Sequence, residues 1–398
     1  MVIRRTIYAA LAVSALAAAD AKLNHSIKKE VESYRSQGPA GLEKFIRAHS
    51  EALARGDVST REALDAICAQ YDCSASRLYW YTDFEAAKAK AREEHKPILS
   101  LHLLGRLDEE LSCANSRFFR KLLYPDPRVS AFLREHYVLH WNMVRPVPRV
   151  TIDFGDGRVL KRTITGNSIH YVLDSEGRPI DAIPGMVAPQ PFLAAVSTAE
   201  TLAKRLASLP PGERESVMKQ WHRERLEETL ASWERDVGKI PLTAPLASRN
   251  TDERVTRLEN ASKTLWPSIA ALQRFEFAVG PQVEMEIKSL LPSALKARRL
   301  ALAPFPTAVE ANQLAITKAL TETPLLRQLR FLNTAVAEDS IRNEYQLHRR
   351  IHEWLSTQQY VSVQRLNARV YPELFLMSLD DPWYGLKPES AYSAINET

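Results

Sequence analysis

Apolar residues change their period three times along this chain. Over residues 22–77 they fall at helical steps. Leu42, Phe45 and Ile46 share a face with the amphipathic His49, and Leu64 and Ile67 share another. Ser59 or Thr60 is placed to cap the helix expected over 61–71. From residue 78 the pattern becomes mixed. Thr82-Asp83-Phe84-Glu85 reads as a capping box, with Thr82 as the cap and Glu85 reaching back. The helix it opens puts Phe84, Ala87 and Ala91 on one face and ends near Glu94. Lys96-Pro97 stops helical growth and starts an extended run over 98–104. A polar loop, 106–112, leads into a helical stretch at 115–123 that Pro125-Asp126-Pro127 breaks. A helix is expected over 129–135 and a strand over 137–144. Two hairpins follow, one over 149–165 turned at Gly155-Asp156-Gly157, the other pairing 169–173 with 180–183 around Ser175-Glu176-Gly177. A helix over 191–208 closes this unit.

Leu209-Pro210-Pro211-Gly212 is the clearest linker. Beyond it, residues 220–237, 251–266, 269–291, 307–322, 324–338 and 340–355 carry apolar positions at three- and four-residue steps. They show no clean repeat period, which argues against a solenoid. The tail Asp380-Asp381-Pro382-Trp383-Tyr384-Gly385-Leu386 is irregular and aromatic, and is expected to fold back as a packed anchor. The expected organisation is an N-terminal helical segment over 22–77, an α/β domain with a central mixed sheet flanked by helices over 78–208, and a C-terminal all-α region over 213–398.

Composition adds little to this picture except at the N-terminus. A length of 398 residues suits two or three domains, and 45% hydrophobic content supplies their cores. The net charge of +5 is spread among interspersed acids and bases, so no nucleic-acid face is implied. Arg4 and Arg5 precede a short apolar stretch over 6–16, and Ala17-Ala18-Ala19 and Ala19-Asp20-Ala21 resemble cleavage sites. Residues 1–21 therefore read as a signal peptide, and the protein as periplasmic or extracellular. The stretch is too short to span a membrane comfortably, and no later segment reaches spanning length.

Three cysteines remain for chemistry. Cys68 and Cys73 are close enough in sequence to pair in an oxidising compartment; alternatively Cys68 is a small buried hydrophobe on its helix. Cys113 is the odd thiol, at the start of a helical stretch. Unpaired N–H groups and the helix dipole favour thiolate there, so its pKa is expected to fall. Ser116 stands one turn on and can bond the sulfur.

The order of elements from residue 78, with Phe84 to Lys90, Lys96-Pro97-Ile98-Leu99, Cys113-Ala114-Asn115-Ser116 and Asn167-Ser168-Ile169-His170-Tyr171, resembles the thioredoxin superfamily, and in particular its exported thioredoxin-like branch. The resemblance covers about a third of the chain. It implies a thioredoxin-like fold, a reactive Cys113, and a substrate groove edged by Asn167 and Ser168. Ser116 stands where the family keeps its second cysteine, and Ser168 where it keeps a cis-proline. Dithiol exchange is therefore disfavoured. Single-thiol chemistry at Cys113, through a mixed disulfide or sulfenic acid, is one expectation. A catalytically inactive binding module with a helical partner-interaction region is the other. The expected partner is a protein or a thiol/disulfide substrate, with no nucleic acid and no cofactor.

Glu344, His348 and His352 share a helix face, but Arg349 and Arg350 lie between the histidines, so a solvated face with no metal is expected. His102 and His170 lie on strands beside the cysteine site and are within reach of Cys113, or are satisfied structural residues. Tyr79-Trp80-Tyr81 reads as core.

Overall fold

The computed structural model describes residues 28–163, 165–240, 250–272, 334–359 and 362–384. The expected signal peptide, the helix at 307–322, and parts of those at 269–291 and 324–338 lie outside these residues.

Helix starts follow acceptor strength. Helix α1 (Pro39–Ala48) opens on proline, whose missing N–H would be unpaired there in any case. Helix α2 (Val58–Cys68) is capped by Asp57, whose carboxylate accepts the Thr60 N–H at 2.8 Å. Ser59 and Thr60, the expected caps, instead donate their hydroxyls to Asp57. Helix α3 (Phe84–Glu94) repeats the correction. Asp83 caps it, accepting the Ala86 N–H at 2.8 Å, while Thr82 accepts from Arg35. In both places a charged carboxylate at the positive helix end replaces a neutral hydroxyl as acceptor.

The N-terminal helices bury Leu42, Phe45, Ile46, Leu64 and Ile67 in a small core, closed by Tyr79 and a disulfide between Cys68 and Cys73. The segment is bonded to its neighbour through indoles. Trp141 Nε1 donates to the Ala69 carbonyl at 2.8 Å, and Trp80 Nε1 to Gln70 at 2.9 Å. Replacing both disulfide cysteines by serine should destabilise this segment by about 2 kcal/mol, the loop-closure value for so short a loop. Denaturant unfolding of the oxidised and the double-serine protein measures it; equal midpoints would refute it.

The central sheet has strands β1 (Ile98–Leu104), β2 (Val138–Arg145), β5 (Ser168–Leu173) and β6 (Pro179–Pro184) in the order β2-β1-β5-β6. β1 runs parallel to β2 and antiparallel to β5, and β5 is antiparallel to β6. The parallel pair needs a crossover, supplied by α4 (Ala114–Phe118), a π-helical turn at Phe119–Leu123 and α5 (Pro127–His136). β1, β5 and β6 are buried along their whole lengths, so both faces are covered. Helix α3 packs on β1 and β2, and α6 (Pro189–Ser208) on β5 and β6. Strands β3 (Arg149–Asp153) and β4 (Val159–Thr163) form a separate hairpin outside this sheet.

Proline at its first turn lets α7 (Pro211–Gly238) begin inside the expected linker, which narrows to a corner at Leu209 and Pro210. With α8 (Thr251–Ser262) and α9 (Trp266–Leu272) it builds a second core, where Trp233 stacks between Trp266 at 5.7 Å and Tyr345 at 5.5 Å. A π-helical stretch, Asn343–His348, runs into α10 (Arg349–Thr357), and α11 (Val363–Glu373) follows. Trp354, Leu355, Leu366, Val370 and Tyr371 join the core of the sheet itself. The tail is anchored as far as it is described: Arg145 stacks 3.6 Å from the Tyr384 ring and donates to the Asp381 carbonyl at 2.8 Å. Among the described residues no helix is long and apolar enough to cross a membrane.

Candidate functional site

Cys113 is the N-cap of α4. Extended backbone at this residue turns the chain out of the 106–112 loop, and its sulfur takes the place of the usual capping oxygen. The Ser116 N–H donates to Sγ at 3.4 Å. The loop before β5 closes over the same helix end. Ala114 donates its N–H to the Thr165 carbonyl at 3.3 Å, and Asn115 Nδ2 donates to Ser168 Oγ at 3.0 Å. Gly166 makes this approach feasible, since a Cβ there would sit 2.8 Å from Asn115 Oδ1. Cys113, Ser116 and Ser168 are thus gathered at one end of the sheet, although 52 residues separate Ser116 from Ser168.

The expected fall of the Cys113 pKa is corrected. Cys113 is a free thiol with no solvent exposure. Burial pushes its pKa up, outweighing the hydrogen bonds from the Ser116 N–H and hydroxyl that pull it down. The helix end cannot prevail, because α4 is a single short turn and water is excluded. The groove edge is also filled. Ser168 is buried, and Asn167 Nδ2 donates to Met377 Sδ at 3.6 Å.

The cover comes from α11 and the turn after it. Asn367 donates to His102 Nδ1 at 3.0 Å and accepts from the Tyr171 hydroxyl. Tyr371 lies near enough that an ionised Cys113 would oppose its own ionisation, and its buried hydroxyl has no hydrogen-bond partner among the described residues. Tyr124 feels Cys113 in the same way. The two strand histidines are engaged elsewhere. His102 is held by Asn367, and His170 Nε2 pairs with the Tyr124 hydroxyl at 2.8 Å. Burial drives both down to about 3, so they are neutral. Ser116 donates to the Ser112 hydroxyl, which also accepts from the buried Arg120 at 3.0 Å. Arg120 in turn pairs with Asp72 at 3.3 Å. This polar frame holds the 106–112 loop and presents no open reaction path to the sulfur.

A second cluster lies at the far strand. The face of Glu344, His348 and His352, expected to be solvated, packs against β6 with both histidines buried. There His348 Nε2 meets Asp181 at 3.1 Å, and its Nδ1 meets Glu344 at 3.2 Å. His222 of α7 lies with Nδ1 3.0 Å from His352 Nδ1 and donates its Nε2–H to the Ile180 carbonyl at 2.9 Å. Burial alone would strip the proton from His348, but the Asp181 carboxylate holds its pKa up, to about 10. Burial keeps His222 and His352 neutral, His222 pushed down to about 4. Asp181 and His222 were not among the expected site residues. The signal available was a carboxylate inside Pro179-Ile180-Asp181-Ala182-Ile183-Pro184, since a charge in a buried strand requires a partner. No protein-family model and no curated protein matches this chain.

Proposed function

We propose that this is an exported protein whose α/β unit is a thioredoxin-like scaffold used for binding a protein partner, with its single thiol held protonated and out of reach. The observation that carries this reading is the complete burial of the Cys113 sulfur, at the position where a thiol enzyme needs access. The strand order, the crossover after β1 and a cysteine at the first helix start after that strand support the thioredoxin-like assignment. The Cys68–Cys73 disulfide supports an oxidising compartment. The partner surface is the face of the β3–β4 hairpin that carries Val150 and Ile152, with Phe154 following in the turn; all three are exposed although large and apolar. Exposed apolar residues gathered on one face mark an interface.

The test is a photocrosslinking residue at position 152 in the native host. A discrete adduct is expected, unchanged by Cys113→Ser and abolished by Phe154→Asp with the far-UV spectrum intact. An adduct that disappears with Cys113→Ser, or one that forms only as a disulfide, overturns the binding reading. That outcome would favour the single-thiol reading, for which the sulfur's place as N-cap, accepting the Ser116 N–H, is the supporting observation. In it the Cys113 thiolate attacks a partner disulfide, one partner sulfur leaves as thiolate, and the other stays bonded to Cys113.

A further inference from the structure

The cluster behind β6 has a composition that a hydrogen-bonded core does not need. Three imidazoles and a carboxylate converge there from three elements: Asp181 from β6, His222 from α7, and His348 and His352 from the helix over 343–357. Donor atoms of Asp181, His348 and His352 all lie within 4.8 Å of one another. The individual separations are 3.1 Å from His348 Nε2 to Asp181 Oδ1, 3.9 Å from His352 Nδ1 to the same oxygen, and 3.0 Å from His222 Nδ1 to His352 Nδ1. A tetrahedral ion with bonds of about 2.0–2.1 Å holds its donors roughly 3.3 Å apart, so these spacings bracket the required edge.

The outer contacts point the same way. A metal-bound histidine donates its other ring N–H to a carboxylate or a backbone carbonyl, which fixes the tautomer. His348 has Glu344 at its remote nitrogen, and His222 has the Ile180 carbonyl at its own. The two arginines that argued against a cation are turned away: Arg349 toward Glu353 and Glu259, Arg350 toward Glu373. Arg225, which lies near His352, is paired with Glu228. A cavity of about 350 Å³ reaches Asp181, His348 and His352 past Trp221 and gives an ion a route in.

We propose that Asp181, His348 and His352, with His222 packed against His352, form a structural site for a zinc-class divalent cation that ties the β-sheet to the C-terminal helices. Imidazole nitrogen with carboxylate oxygen suits zinc among the first-row ions, and the buried set matches a structural role. The site stands apart from Cys113 and does not depend on the binding reading.

The test uses the full, tag-free protein, stripped with a chelator and titrated with zinc chloride against a chromophoric competitor. One zinc per chain is expected, with a raised melting temperature. X-ray absorption of the zinc protein should show a nitrogen/oxygen shell near about 2.0–2.1 Å with imidazole scattering and no sulfur. His352→Gln should abolish the stoichiometric site, and Glu344→Gln should weaken it by about 10–100-fold. No saturable binding by the folded wild type overturns the proposal, as does affinity unchanged in His352→Gln. A shell containing sulfur also overturns it. The absorption measurement needs only the wild-type protein, so a variant that fails to fold does not protect the idea.

Discussion

Stability is expected to fall steeply as the pH drops from 6.5 to 5. His102, His140 and His170 are buried in and beside the sheet, and burial lowers their pKa values to about 3, 4 and 3. In the unfolded chain each returns to about 6.5. Below that pH the unfolded state binds more protons than the folded one, so the stability gradient with pH is positive. The contribution of each is therefore fully present above about pH 6.5 and is lost as the pH falls toward the folded value. At about 1.4 kcal/mol per pH unit, each histidine removes about 2 kcal/mol by pH 5. Asp65 works in the opposite direction. Burial raises its pKa to about 6, so the folded state takes its proton first, and this returns about 1.4 kcal/mol at pH 5. The net loss from these four groups is roughly 4–5 kcal/mol, a large part of an ordinary domain's stability. Denaturant midpoints between pH 7.5 and 5 measure it. His170→Gln, which keeps a partner for Tyr124, should flatten the profile by about one histidine's share. A profile no steeper than a single histidine gives would refute the account.

Cys113 in the native protein should react with an uncharged alkylating agent at least about 10³-fold more slowly than a free cysteine. A local opening of about 4 kcal/mol has that effect, and the sulfur is fully buried and protonated. The latch is Asn367, which bonds two residues of the sheet from α11. Asn367→Leu removes both bonds and leaves His102 and Tyr171 facing an apolar group. Unsatisfied buried polar groups are penalised by about 1–3 kcal/mol each, so for the two groups the opening should become easier by about 2–6 kcal/mol and alkylation at least about 30-fold faster. The far-UV spectrum should stay that of the wild type. Native Cys113 reacting at the rate of free cysteine would remove the basis for a closed site. Unchanged protection in Asn367→Leu would place the latch elsewhere.

Local chemistry was legible wherever the chain's own neighbours decide the outcome. Lys96-Pro97 started β1, the Gly155-Asp156-Gly157 and Ser175-Glu176-Gly177 turns joined the strands expected around them, and Cys113 sat at a helix start. Period and turn chemistry act over a few residues, so a sequence carries them openly. Even here the caps fell to Asp57, two or three positions before the expected Ser59 or Thr60, and to Asp83, one position after the expected Thr82, because acceptor charge outranks the Ser/Thr pattern.

What the sequence by itself determined is a mixed α/β unit with a lone thiol at one helix start, preceded by short helices and followed by a long helical region. Tertiary structure alone decided what that thiol can do. Its pKa is raised by burial in a core that also holds Tyr371 and Met377, more than 250 residues away, and no local pattern encodes which distant helix joins that core. The same holds for the histidines. His348 and His352 looked like a solvated face because the arginines beside them are polar, yet the face is buried by Asp181 and His222, from elements that precede it by more than a hundred residues. Burial, protonation and metal-ligand geometry are properties of what packs against a group, and packing is settled only when distant elements share one core.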